Sequence, residues 1–299
     1  VKDNIESTSV VDGRVDRVTV KIPEDFVMPP GGLNIRQADH APLKEARLHD
    51  YKRDAILAYA RANKLDKMVM SGGANAKVGI ITTGKSYLDV RSALEELGID
   101  EVKANQIGLR LYKVAMPYPI ETQGLEKFAD GLDLIIVVEE KRSLIEVQVK
   151  EELYNSAVRN PSIHAYVIGK KDEHGNALFP AKGALDPTEI AIAVGERLIR
   201  CGGGDFLKER VSQLKGLKGN MPSQPEVATR LPYFCPGCPH NSSTVVPEGA
   251  HAYAGIGCHY MAQWMNRSTE GFTQMGGEGA NWIGEAPFSK RKHVFRGCR

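Results

Sequence analysis

Along the chain, apolar positions fall into two alternating periods. Val18, Val20 and Ile22 alternate with Thr19 and Lys21 before Pro23, which predicts a half-buried strand within residues 9–22. The stretch from Met28 through Pro29, Pro30, Gly31 and Gly32 predicts an extended crossing. Leu48, Tyr51, Ala55, Ala58 and Ala62 then recur at helical spacing and place one apolar stripe on a helix of about four turns.

The strongest pattern begins at Lys77. Val78 to Thr82 predicts a strand and Gly84 a turn, with Ser86 and Asp89 as a reciprocal cap on a helix that buries Val90, Ala93, Leu94 and Leu97 and closes at Gly98. Leu111 to Val114 predicts another strand and Gly124 to Ala129 a short helix. Leu134 to Val138 is uniformly apolar, as in a strand covered on both faces, and Ile145, Val149 and Leu153 predict the next helix. Strands alternating with helices make a parallel α/β sheet. Tyr166 to Ile168 adds a short strand, residues 171–176 a solvated turn, and residues 190–199 and 206–214 two helices. Lys215 to Pro222 has the composition of a linker, so a domain boundary is expected near residue 225.

Composition narrows the class. A chain of 299 residues, 42% hydrophobic and 25% charged, suits two folded domains and excludes wholesale disorder. A formal charge of +2 gives no electrostatic reason to bind nucleic acid. No apolar run is long enough for a membrane span and no signal-like run opens the chain, so the default expectation is a cytoplasmic protein.

Three of the five cysteines cluster, in Phe234-Cys235-Pro236-Gly237-Cys238-Pro239-His240 and Gly255-Ile256-Gly257-Cys258-His259. A turn between two thiols can aim both at one metal, and Cys258 is a candidate third ligand. His240, His251, His259, Cys298 or a group outside the chain would be the fourth. An iron-sulfur cluster, a zinc site, a redox dithiol and incidental cysteines all stay open on residue chemistry. The run from Met275 to Gly284, with Gly276, Gly277 and Gly279, lets backbone amides approach a phosphate or makes room for Trp282 in a core. It has neither the lysine of a phosphate loop nor the dinucleotide spacing. Thr83-Gly84-Lys85-Ser86 reads as a capped helix start, Glu139 to Arg142 as a solvated charge run, and His164, Cys201 and Glu248 as structural residues.

Leu65 to Tyr154, including residues 81–90 and 137–142, resembles the transketolase-C-terminal-like domain of indolepyruvate ferredoxin oxidoreductases. The cysteine region and Met275 to Gly284 resemble the opening of that family's thiamine-diphosphate domain. The resemblance covers roughly residues 10–295 and is nearest the long fused bacterial form. It implies four segments: the end of a preceding domain with a crossover (1–64), the transketolase-C-like domain (65–155), a connecting segment with helices (156–225) and the start of a thiamine-diphosphate pyrophosphate-binding domain (226–299). It further implies oxidative decarboxylation of an aryl 2-oxoacid such as indolepyruvate with coenzyme A and ferredoxin, in a homo-oligomer. Thiamine diphosphate, Mg2+ and a [4Fe-4S] cluster are the implied cofactors. By resemblance, Cys235, Cys238 and Cys258 ligate the cluster, while Gly255, Gly257, His259, Gly276, Gly277 and Gly279 lie on the cofactor side. The family's Gly-Asp-Gly magnesium motif is expected after His293-Val294-Phe295 and does not follow, and no pyrimidine-binding domain precedes Val1. The chain therefore reads as an interior piece that is inactive alone. A noncatalytic zinc-stabilised module is the alternative.

Overall fold

The computed structural model describes residues 19–34, 36–220 and 231–290. Val18, the site of the expected domain boundary, and Cys298 with the segment around His293 lie outside the described residues. The chain divides into two units between Met221 and Pro222.

The first unit opens on an extended segment. Residues 19–22 form no strand, and Val20 and Ile22 are exposed. The Lys21 backbone pairs instead with a side chain, donating to Asn63 Oδ1 at 2.8 Å and accepting from Asn63 Nδ2 at 3.0 Å. Helix α1 (Ala41–Arg47), a π-helical turn (Leu48–Lys52) and α2 (Arg53–Ala62) follow one another directly. The stripe expected on this helix is buried only at its end, where Ala58 packs inward while Leu48 and Tyr51 stay exposed.

Strand β1 (Lys67–Met70) precedes β2 (Val78–Thr83), α3 (Gly84–Glu96), α4 (Glu101–Ile107) and β3 (Leu109–Val114). Then come α5 (Thr122–Ala129), β4 (Leu134–Val138), α6 (Ile145–Tyr154), α7 (Ser156–Arg159), β5 (Tyr166–Ile168), α8 (Pro187–Arg200) and α9 (Asp205–Asn220). The sheet order is β1-β3-β2-β4-β5. β2 pairs in parallel with both β3 and β4, and β4 with β5. The edge strand β1 runs antiparallel to β3, so the sheet is mixed. Alternation along the strands then decides the two cores. Val78, Ile80, Leu111 and Ile136 face a cluster built with α3, α8 and α9. Ile81, Tyr112, Ile135 and Val137 face Leu125, Phe128, Ile145 and Val149 of α5 and α6. All five residues of β4 are buried, as a strand covered on both faces requires.

Two local readings need correction. The reciprocal cap at Ser86 and Asp89 does not form: α3 begins at Gly84, whose φ of 53° reverses the chain immediately after β2. Ser86 is thereby drawn inside the first turn and buried, and Asp89 accepts from Lys85 Nζ at 2.9 Å. The other end is as expected, since Gly98 has φ 69° and Ile99 N–H donates to Leu94 O at 2.8 Å. The linker-like residues 215–220 continue α9, anchored by buried Leu207, Val211 and Leu214. Helices α8 and α9 thus belong to the first core and do not merely connect.

The second unit contains α10 (His240–Ser243), β6 (Ala252–Ala254), a 3-10 helix (Cys258–Trp264), β7 (Thr269–Phe272) and α11 (Ala280–Glu285). β6 and β7 form a parallel pair. Among the described residues no helix is long and apolar enough to cross a membrane.

Candidate functional site

The thiols of the second unit sit on a tight turn. Cys238 N–H donates to Cys235 O at 3.0 Å, and Gly237 between them has φ 76°, a conformation open to glycine at little cost. Asn241 ties the turn to α10 by donating from Nδ2 to Cys235 O at 3.0 Å. Cys235 and Cys258 are exposed free thiols and Cys238 is half-buried. Cys238 Sγ lies 3.3 Å from His240 Nδ1. The His240 ring stacks against Phe234 at 5.2 Å and against His259 at 6.2 Å, which joins the two cysteine motifs.

The chain leaves β6 through Gly255, Ile256 and Gly257. Gly257 adopts φ 101° and ψ −149°, a region closed to residues with a side chain, and no heavy atom stands within 4 Å of where its Cβ would be. This turn starts the 3-10 helix and folds His259 back, so that its Nδ1 accepts the Gly255 N–H at 3.0 Å. His259 is buried; burial first, and His240 second, hold its pKa below the usual histidine value.

The glycine run follows β7. Gly276 and Gly279 have φ 90° and 86°, and Gly279 precedes α11. Glu278 Oε2 accepts the Gly276 N–H at 2.9 Å. A Cβ on Gly255 would lie 3.2 Å from His259 Nδ1 and 3.9 Å from Glu278 Cγ, so Gly255 is the point where the two glycine motifs meet. Gly276, Gly277, Glu278, Gly279, Trp282 and Ile283 line an open cleft of about 380 Å³. Trp282 is half-buried beside this cleft and Ile283 is exposed, which differs from a loop built to sink the indole into a core. Sequence spacing gave no sign of the His240–His259 stack or of the meeting of Gly255 with Glu278.

Thiolates are soft donors of the kind that hold iron-sulfur clusters or zinc. Cys235, Cys238 and Cys258 fit such a group in kind but not in arrangement: among the described residues no three His, Cys, Asp or Glu side chains converge in a metal-binding geometry. The backbone fits an anionic ligand better, since Gly257 and Gly276 leave open space where side chains would project, although Glu278 already occupies the Gly276 amide.

The first unit also revises the charge run after β4. Glu139 is buried, and its carboxylate accepts N–H groups of Leu144, Ile145 and Glu146 at 2.9, 2.9 and 3.0 Å, capping α6. Lys85 Nζ binds both Asp89 oxygens and lies 3.6 Å from Glu140, so this ammonium is already paired. His164 pairs with Asp133 at 2.9 Å on the surface.

Comparison with known proteins places these residues in context. Residues 68–220, just over half of the 299, match the model of the indolepyruvate oxidoreductase domain. The indolepyruvate oxidoreductase subunit IorA of Thermococcus kodakarensis is 32% identical over 179 residues, 58% of this chain and 23% of that protein. The subunit of the same name from Methanothermobacter marburgensis is 25% identical over 238 residues, 79% of this chain and 31% of that protein. The chain therefore spans about a quarter to a third of the length of these relatives. Among solved structures, a 2-oxoglutarate:ferredoxin oxidoreductase from Magnetococcus marinus aligns at TM-score 0.32 and 18% identity, covering 54% of this chain and 24% of its own. A split-gene transketolase, an inactive β4 tetramer, aligns at TM-score 0.29 and 20% identity, covering 45% of this chain and 41% of its own. With the family model matched from β1 to the end of α9, the chain belongs to the indolepyruvate oxidoreductase family.

Proposed function

We propose that the chain is part of an enzyme that oxidatively decarboxylates an aryl 2-oxoacid, such as indolepyruvate, passing electrons to ferredoxin and the acyl group to coenzyme A. The observation that carries this reading is the family match over residues 68–220, followed in the chain by thiol and glycine motifs that pack together through His240, His259 and Gly255. Thiamine diphosphate with Mg2+, held by the longer protein, would supply the carbanion chemistry at the keto carbon, and a [4Fe-4S] cluster would supply a one-electron acceptor. Cys235, Cys238 and Cys258 are the residues that would hold the cluster in the complete protein. Gly257 and Gly276 leave open space where the cofactor's diphosphate would approach the backbone, and buried His259 fixes the turn at Gly255.

Because the chain spans only about a quarter to a third of its relatives, turnover belongs to the longer protein, which we place in the cytoplasm as a homo-oligomer. Residues 1–299, purified and supplied with thiamine diphosphate, magnesium and coenzyme A, are expected to show no indolepyruvate-dependent ferredoxin reduction, whereas the full-length parent shows it. A parent without that activity would refute the reading. The contact of Cys238 Sγ with His240 Nδ1 favours a second possibility, a zinc-stabilised module with mixed sulfur and nitrogen ligands. Iron with acid-labile sulfide in the anaerobically reconstituted parent supports the first reading, and stoichiometric zinc without sulfide supports the second.

A further inference from the structure

Helix α3 opens at the carboxyl end of β2, where the sheet changes direction. From β2 the chain crosses by α3 and α4 to β3 on one side, and from β4 it crosses by α6 and α7 to β5 on the other. Outside the carboxyl ends of two such neighbouring parallel strands lies a crevice open to a ligand. Gly84 stands there, exposed, with nothing within 4 Å of where its Cβ would be. The helix is 13 residues long, and Thr83 at its N-cap takes none of the opening amides, its hydroxyl donating instead to Val114 O at 2.8 Å. The N–H groups of Lys85 and Ser86 have no acceptor among the described residues.

Two hydroxyls beside this opening are unpartnered as well. Thr82 is fully buried, and its Oγ1 has no hydrogen-bond partner among the described residues. Side chains alternate along β2, so Thr82 shares the face of Ile80, which packs with Val90 and Leu94 of α3. Lys113, opposite Thr82 on β3, reaches α3 from the same face, with Nζ 4.4 Å from the centre of the Tyr87 ring. The Thr82 hydroxyl is therefore aimed at the α3 layer, two residues before the helix begins. Ser86, 4% exposed, sits in the opening turn, and its hydroxyl makes no hydrogen bond among the described residues. Helical side chains lean toward the N-terminus, which brings it to the same end. The nearby acids Asp89 and Glu140 are both met by Lys85 Nζ, whereas Lys113 makes no ion pair among the described residues. Free amides at the positive end of a helix dipole, two buried hydroxyls and an ammonium without an acid make a donor set for a phosphate group, whose ionised oxygens accept.

We propose that the crevice at the ends of β2 and β4 binds a phosphate group through the amides of Lys85 and Ser86 and the hydroxyls of Thr82 and Ser86, with Lys113 balancing its charge. The site lies wholly in the first unit and does not depend on the reaction proposed above. Its phosphate group is either free or carried by a nucleotide.

The test titrates the 299-residue chain with inorganic phosphate at constant ionic strength and follows the backbone amide resonances. Saturable shifts are expected at Gly84, Lys85 and Ser86, and none at the openings of α4 and α5, whose amides Asp100 and Glu121 already occupy. Adenosine monophosphate in place of phosphate separates the two sources: tighter binding assigns the site to a nucleotide, equal binding to the phosphate group alone. T82V and S86A are each expected to bind the effective probe about tenfold more weakly, the scale of one hydrogen bond to a charged group. Without probe, T82V is expected to melt no lower than the parent chain, because a methyl replaces a buried hydroxyl that has no partner; a hydroxyl with only a structural role would lower it. T83D puts a carboxylate at the N-cap, as in α4 and α8, and is expected to abolish the shifts by occupying the amides from within. Absence of saturable shifts at residues 84–86, shifts of equal size at α4 and α5, or binding by T83D equal to that of the parent would overturn the proposal. Should a variant misfold, the amide response of the unsubstituted chain still decides.

Discussion

Asp66, between α2 and β1, fixes the chain as it leaves β3. Its Oδ1 accepts the N–H of Ala115 at 2.7 Å and of Met116 at 3.4 Å, while its Oδ2 is buried without a partner among the described residues. Burial raises the Asp66 pKa above the usual carboxylate value, Glu121 adds repulsion, and the two backbone donors oppose them. A carboxyl whose folded pKa is raised binds its proton more tightly in the native state. Its favourable contribution is complete below the unfolded value and is lost as pH rises through the folded one. Asp66→Asn removes the ionisation and keeps an acceptor at Oδ1. Thermal unfolding followed from about pH 3 to pH 8 is therefore expected to show D66N gaining on the parent as pH rises through the carboxylate range. D66A, which loses both acceptor contacts, falls about 1–3 kcal/mol below the parent at low pH, and this deficit narrows as pH rises through the carboxylate range. A pH-independent difference between D66N and the parent would show that the carboxyl titrates as it does in water.

Among helices, the first unit repeats one device: a carboxylate takes the N–H groups of the opening turn. Asp100 does so for α4, Glu121 for α5 and Asp186 for α8. At α6 the acceptor is Glu139, the first residue after β4, which reaches forward to three amides. An anion there also meets the positive end of the helix dipole. Glu139→Ala leaves three amides at a buried helix start without an acceptor, and denaturant unfolding is expected to report a loss of about 1–3 kcal/mol. E139Q, which keeps an acceptor but not the charge, falls between. Unchanged stability of both variants would mean that water satisfies these amides.

For the molecule as a whole, both clusters of buried apolar side chains lie between Met70 and Leu214. The first unit therefore carries its own core, and the units divide after Met221. Residues 1–221 produced alone are expected to unfold in one cooperative transition and to keep amide protection in β2, β3 and β4, which hydrogen exchange measures residue by residue. A broad transition without protected strand amides would show that the sheet depends on the second unit.

Local pattern sufficed for β2, β4, α3 and α6, since the apolar residues that recur at the period of each element, such as Val90 and Leu94 of α3 and Ile145 and Val149 of α6, are buried. It failed where a distant contact overrides local chemistry. β1 is four residues long with Lys67 and Met68 exposed, and only its antiparallel pairing with β3 makes it a strand. The glycines and lysines of residues 215–220 read as a linker, yet packing of Leu207, Val211 and Leu214 extends α9 through them, because burial outweighs the small helix penalty of exposed glycine. The candidate site divides in the same way. Sequence supplied the thiols, the glycines and the adjacent histidines as residue types with a chemistry. Tertiary structure decided that His240 stacks on His259, that Gly255 holds Nδ1, and that Glu278 lies against Gly255. These contacts join segments separated by whole elements, and such partners are set by how β6, β7 and the 3-10 helix pack, which no local periodicity encodes.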